Sequence, residues 1–167
     1  LAKNNIAKSF GVQTAEPIWQ AQLKCRDLII VPPDFDEYLK YSKLARKIYA
    51  DYTDLIEPYG MDECWLDVTG SIRLLGNGEK IANEIRERVK SELGLTISVG
   101  VSFNKIFAKL GSDMKKPDAV TVINKEDFRN KIWHLPASDL LGVGRSAKKT
   151  LDSLGIHTIG QLAGTPA

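Results

Sequence analysis

Cysteine is scarce in this 167-residue chain, limited to Cys25 and Cys64. Two thiols cannot staple a secreted scaffold, and their separation is not that of a metal-binding pair. His134 and His157 are the only histidines, each among apolar neighbours, which reads as core or surface packing rather than ligation. No apolar run approaches the roughly 20 residues that a membrane-crossing helix needs. No stretch has nucleophile-elbow or Walker-type glycine spacing, and there is neither an internal repeat nor a low-complexity tract. The chain opens on Leu1, with no methionine and no signal-peptide pattern. The expectation is therefore a piece of a longer protein from a reducing, cytoplasmic compartment.

What is present is the balance of a soluble folded domain: 43% hydrophobic and 26% charged residues. The net charge of +2 is unevenly spread. Residues 1–26 carry four Lys and Arg against one acid, residues 27–101 nine against fourteen, and residues 102–167 ten against six. Basic flanks around an acidic middle fit a protein that grips a polyanion at its edges and a cation at its centre. Ordinary surface variation gives the same totals.

Periodicity places the elements. Two weak helical patterns occupy residues 1–26, separated by Phe10-Gly11-Val12 and by Glu16-Pro17. Leu28-Ile29-Ile30-Val31 reads as a short buried strand stopped by Pro32-Pro33. Asp34 and Glu37 form a capping box. It opens a helix with Tyr38, Tyr41, Ala45, Ile48, Tyr52 and Leu55 on one face, ended by Pro58. Gly60 turns the chain before a strand over Trp65–Thr69. A second helix runs from Gly78 to Leu93 with Ile81, Ile85, Val89 and Leu93 in register, closed by Gly94. Leu95 to Val101 alternates as a strand. Ser102 can cap a third helix with Phe103, Ile106, Phe107, Leu110 and Met114 inward, broken by Pro117. Ala119–Ile123 is a last strand. These pieces predict one sheet with helices on a face, and short helices after Asn124.

Three places could carry chemistry. Asp62-Glu63 would point to opposite faces of a regular strand, but both can project from one edge if a tight hairpin turn lies between Ile56–Met61 and Cys64–Thr69. Such an edge of hard oxygens suits Mg²⁺, which takes one or two carboxylates plus substrate phosphates; an ordinary exposed acidic turn has the same sequence. Asp67 would lie about 13 Å further along the strand, too far to share an ion, and reads as structural. Lys115-Lys116-Pro117 could meet a phosphate as a point charge, or simply place cations at a helix C-terminus. Leu140-Leu141-Gly142-Val143-Gly144, then Lys148-Lys149 and Leu154-Gly155-Ile156, follow the helix-hairpin-helix pattern. Its glycines let the backbone approach a nucleic acid phosphate, although a plain helical hairpin also turns on glycine.

Taken in order, the motifs resemble Y-family translesion DNA polymerases of the DNA polymerase IV and V kind. The matching stretches are Phe10-Gly-Val, Met61-Asp-Glu-Cys-Trp-Leu-Asp, and Ser98-Val-Gly-Val-Ser-Phe-Asn-Lys-Ile-Phe-Ala-Lys109. Asp113-Met-Lys-Lys-Pro-Asp and Gly142-Val-Gly144 complete the set. The resemblance implies an α+β fold: a ferredoxin-like palm sheet with helices on one face, a partial helical fingers segment and a helix-hairpin-helix thumb fragment. Residues 1–30 would be partial fingers, 31–124 a palm lacking its first strand, and 125–167 a partial thumb.

The resemblance also implies template-directed nucleotidyl transfer in DNA damage bypass, with two Mg²⁺ ions, a dNTP and primer-template DNA. Asp62 matches the carboxylate bridging the ions, and Glu63 the one holding the ion near the primer 3′-hydroxyl. Lys116 and Lys8 match triphosphate contacts, although Asn5 stands where the family usually has tyrosine. Gly142, Val143 and Gly144 match the contacts to the DNA backbone. A further metal aspartate and a ribonucleotide gate would lie ahead of Leu1, and the remaining thumb helices and a little-finger domain beyond Ala167, so the segment alone is expected to be inactive; any tail for a sliding clamp would also lie beyond Ala167. An exposed sheet edge would allow dimerisation. The alternatives are a non-catalytic helix-hairpin-helix DNA-binding module and a nucleotidyl cyclase-like domain.

Overall fold

A computed structural model of the chain describes residues 1–166. The backbone divides into two compact units, Leu1–Phe35 and Asp36–Ala167. In the first, α1 (Asn5–Ser9) is capped by the Asn4 side chain, which accepts the Ala7 amide at 2.8 Å. Gly11, at φ +81°, turns the chain towards α2 (Ile18–Lys24). Ala7, Val12 and Ala21 form a small buried cluster, with Cys25 and Leu28 against it. The strand expected over Leu28–Val31 does not form. Leu28 packs, but Ile29 and Val31 are 85% and 77% exposed. A four-residue run with no partner strand has no ladder to hold it, and Pro32-Pro33 supply no donors to extend one.

The helix α3 (Phe35–Ala50) starts immediately after Asp34 but stops well before Pro58. The hydroxyl of Thr53 donates to the Asp67 carbonyl at 2.6 Å and accepts the Leu55 amide at 3.1 Å, which pulls the chain out of the helix. Pro58 instead lies in β1 (Ile56–Tyr59), an edge strand, where a missing donor is tolerated. β1 pairs antiparallel with β2 (Glu63–Leu66), Ile56 opposite Leu66 and Tyr59 opposite Glu63. The second strand is therefore shorter and earlier than the expected Trp65–Thr69. Thr69–Ser71 is a 3-10 turn, and the Asp67 carboxylate accepts the Thr69 amide at 3.0 Å.

After α4 (Ile72–Leu75), α5 spans Gly78–Leu93 as its periodicity predicts, capped by Asn77 and closed by Gly94 at φ +67°. Ile81, Ile85 and Val89 pack on Ile48, Tyr49 and Tyr52 of the preceding helix and turn, and Ile56, Cys64 and Leu66 of the hairpin rest on that cluster. Each such buried side chain contributes about 2 kcal/mol.

β3 (Val99–Ser102), α6 (Lys105–Met114) and β4 (Val120–Ile123) form a parallel crossover unit, Val99 opposite Val120. β3 is shorter than the expected Leu95–Val101, and Leu95 is exposed. Asn104, not Ser102, caps α6: its side chain accepts the Phe107 amide at 2.8 Å, while the Ser102 hydroxyl donates to the Ile123 carbonyl. Leu110 is buried as expected, but Phe103, Ile106 and Met114 are exposed. With the helix starting two residues later than Ser102 would start it, Phe103 falls outside its face.

The chain mixes helix and strand as predicted, but the single sheet does not form. β1-β2 and β3-β4 are separate two-stranded sheets. Each closes through a local connection, a three-residue turn or one crossover helix, and β2 and β3 border a cleft rather than each other. Beyond them, α7 (Phe128–Ile132), α8 (Arg145–Ser153) and α9 (Ile159–Ala163) are short. Ile132 and Ile159 join Leu110 and Ile123 in a second buried cluster. Among the described residues no helix is long and apolar enough to cross a membrane.

Gly100 sets how closely α6 lies on β3. A Cβ there would fall 1.8 Å from the Ala108 carbonyl oxygen. Gly100→Ala is expected to destabilise the chain by about 3 kcal/mol, by displacing backbone. Urea denaturation checks this, and an unchanged midpoint would contradict it.

Candidate active site

The turn of the β1-β2 hairpin, residues 60–62, begins with Gly60 at φ +71°, a conformation that L side chains disfavour. Two side chains from α3 hold it: the Ser42 hydroxyl donates to the Met61 carbonyl, and the Arg46 guanidinium donates to the Gly60 carbonyl at 3.2 Å. Asp62 is the last turn residue and Glu63 the first residue of β2. Leaving the pleat at that point frees Asp62 from strand alternation, and Asp62 and Glu63 both line one cleft of about 860 Å³. Lys116 lines it too.

Three of the expected site residues thus share a cleft. Among the second unit's residues, Gly142, Val143 and Gly144 do not line it, and neither does Asp67, expected to be structural. Asp67 is held below the usual carboxylate range by the Thr69 hydroxyl and amide, in keeping with that role. Lys8 is an exposed residue of α1 in the first unit. Gly142, Val143 and Gly144 precede α8. Of the two glycines there, only Gly142 has a positive φ, +91°. The Val143 amide is taken by the Leu140 carbonyl at 3.1 Å, so it closes the turn itself.

A row of charges leads across the cleft wall. The Lys109 ammonium donates to Glu63 Oε1 at 3.0 Å and to Asp113 Oδ2 at 2.8 Å, and Lys116 pairs with Asp113 Oδ1 at 2.7 Å. Burial works against the charged form of Lys109, but Asp113 and Glu63 outweigh it and raise its pKa above the usual lysine range. Burial likewise opposes the Asp113 carboxylate, and Lys109 and Lys116 overcome it, lowering that pKa. Burial pushes the Tyr49 phenol, also in the cleft lining, up to about 12. On the far side of Lys116, Asp118 stands at φ +55° and receives Arg86 at 2.7 Å and Lys90 at 2.7 Å, both from α5.

Among the described residues no three His, Cys, Asp or Glu side chains form a metal-holding group. Asp62 and Glu63 are a pair of hard oxygen donors, and Glu63 already faces a cation in Lys109. The pair fits Mg²⁺ in the mode that takes two carboxylates and completes its shell with phosphate oxygens and water.

Sequence reasoning missed Ser42, Arg46 and Arg86, and gave no role to Lys109, Asp113 or Asp118 although they lie in the quoted motifs. The Lys109–Asp113–Lys116 spacing is a helical i, i+4 then i+3 pattern and was available as a signal. The ties from Ser42, Arg46 and Arg86 span 14 to 32 residues and leave no local pattern.

Residues 1–113 match the model of the impB/mucB/samB family. The chain belongs to that family. A DNA polymerase IV of Acetivibrio thermocellus is 60% identical over 163 residues, covering 98% of this chain and 41% of that protein. DNA polymerase IV 1 of Bacillus subtilis is 42% identical, covering 94% of this chain and 38% of that protein. Among solved structures, an insertion ternary complex of Dbh DNA polymerase superposes with a TM-score of 0.88 at 28% identity, covering 98% of this chain and 48% of its own. DinB from Sulfolobus solfataricus gives 0.87 at 28% identity, covering 98% and 48%. This impB/mucB/samB chain spans about two fifths of the length of those curated relatives.

The Asp118 anchor generates a pH prediction. Its carboxyl is held below the ordinary value of 3.8 by Lys90 and Arg86. Such a group stabilises the fold above its unfolded pKa, and the contribution is lost as pH falls through the lower folded value. Asp118→Asn is expected to speed amide exchange across residues 115–119 severalfold at neutral pH. The ratio to wild type should narrow towards one below about pH 3.8. Hydrogen exchange by mass spectrometry checks it, and a ratio independent of pH would contradict the anchor.

Proposed function

We propose that this chain is the part of a Mg²⁺-dependent, template-directed translesion DNA polymerase that carries two of its metal carboxylates and its triphosphate lysine. The observation that carries this reading is the meeting of Asp62, Glu63 and Lys116 in one cleft. Asp62 and Glu63 would hold the Mg²⁺ ions, Asp62 as the carboxylate shared between two of them and Glu63 as the one serving the ion that activates the primer 3′-hydroxyl. When bound, the metals lower the pKa of that hydroxyl and offset charge on the leaving pyrophosphate. Lys116 meets the triphosphate of the incoming dNTP as a point charge.

In this reading residues 1–30 belong to the fingers, 31–124 to a ferredoxin-like palm and 125–167 to the thumb. Among the described residues β2 and β3 each have one strand partner. A further strand between their cleft-side edges would complete the palm sheet and bring another carboxylate. Gly142, Val143 and Gly144 lie along the phosphates of a DNA strand. Such contacts position the duplex without reading its sequence.

The deciding experiment grafts this chain in place of the matching 163 residues of the Acetivibrio thermocellus relative. The chimera is expected to extend a primer with Mg²⁺ and dNTPs, and Asp62→Ala or Glu63→Ala to slow extension by about 10²- to 10³-fold, as loss of electrostatic stabilisation does. A chimera that binds primer-template but never extends it would favour the non-catalytic binding module.

The thumb contacts predict weak DNA binding by the chain itself. With about two phosphates contacted, affinity should fall roughly tenfold between 50 and 200 mM salt. Fluorescence anisotropy reads the slope, and strong, salt-insensitive binding would refute the phosphate contacts.

A further inference from the structure

We infer that Glu63, Lys109, Asp113 and Lys116 form a charge relay. Lys109 is the resident counter-ion of the acidic pair, and a divalent cation arriving there hands it to Asp113, which releases Lys116 for a triphosphate. The inference rests on the metal and triphosphate roles proposed above, and it assigns Lys109 and Asp113 as positioning residues for both ligands.

The geometry is an alternating row: Glu63 to Lys109 at 3.0 Å, Lys109 to Asp113 at 2.8 Å, Asp113 to Lys116 at 2.7 Å. The two oxygens of Asp113 are divided, Oδ2 to Lys109 and Oδ1 to Lys116. The lysines differ in freedom. Lys109 is 18% exposed and can only shift between its two acceptors, whereas Lys116 is 57% exposed and can leave. A divalent cation on Asp62 and Glu63 places like charge next to the Lys109 ammonium, and that repulsion is strong in a partly desolvated cleft wall. Asp113 is the acceptor already in contact. Once it carries Lys109 in full, less of its charge is left for Lys116. The relay moves a side chain and not a proton. Arrival of metal at one end and of phosphate at the other become coupled.

Plain field effects and a relay differ in additivity, so a double-mutant cycle separates them. Binding of Mn²⁺ alone, read by electron paramagnetic resonance of the free ion, and of inorganic tripolyphosphate, read by calorimetry, are measured on the full 167-residue chain. Circular dichroism verifies each fold. Lys109→Met is expected to bind Mn²⁺ about tenfold more tightly and tripolyphosphate about threefold more weakly. Asp113→Asn is expected to do the reverse, about threefold each way. In the double variant Asp113→Asn should no longer weaken Mn²⁺ binding, because no Lys109 remains to be pushed onto Glu63. Should Lys109→Met not fold, Lys109→Gln carries the same expectations. Additive effects, or Mn²⁺ binding sensitive to Asp62→Asn but unmoved by Lys109→Met, overturn the relay alone. No Mn²⁺ binding by the wild type, or binding indifferent to Asp62→Asn, overturns the metal reading and the relay together.

Discussion

The ion pair between Glu63 and Lys109 joins two parts of the fold that share no strand ladder. The β1-β2 hairpin and the β3-α6-β4 unit are separate sheets, so the position of the acidic turn over the crossover unit depends on side chains. Glu57 faces Trp65 across the hairpin, and Glu63 stands two residues from Trp65, so all three share one face. That face meets α6 at positions 105 and 109, one helical turn apart. The Trp65 indole donates to the Lys105 carbonyl at 3.0 Å, the Lys105 ammonium reaches Glu57, and Lys109 reaches Glu63. The other face, with Ile56, Cys64 and Leu66, rests on the apolar cluster of α3 and α5. A hairpin of two four-residue strands is marginal alone. Here one face is held by burial and the other by directional polar contacts, and the turn between them presents Asp62 and Glu63 to the cleft.

How far this arrangement could be read from residues depended on whether the deciding contact was local. α5 is bounded by Asn77 and Gly94, whose cap and left-handed turn act within a few residues, and its limits match the sequence expectation. The hairpin was legible for the same reason: Gly60 and the Asp62-Glu63 pair lie in one short turn. The end of α3 was not, because the Thr53 hydroxyl is drawn out by a carbonyl 14 residues away. Leu28–Val31 looked like a strand because apolar β-branched residues satisfy the pattern, yet a strand requires a partner and no local feature supplies one. The single sheet failed likewise. Strand patterns describe faces, and which edges meet is decided by the chain that lies between them.

At the cleft, residue type singled out Asp62, Glu63 and Lys116 but not what holds them. Lys116 shows why this matters. The loop that carries it is fastened to α5 through Asp118, whose carboxylate takes Arg86 and Lys90, while Asp113 of α6 pairs with the Lys116 ammonium itself. Arg86 and Lys90 lie in the acidic middle of the sequence, and Asp118 in the basic C-terminal part. The uneven charge seen along the chain is thus partly exchanged between segments when it folds, as in the pairs Arg86–Asp118, Lys105–Glu57 and Lys109–Glu63. An exposed lysine on a free loop must be ordered by its ligand, which subtracts from affinity. With Asp118 held to α5, much of the ordering of this loop has occurred on folding, and Asp113 holds the Lys116 side chain itself.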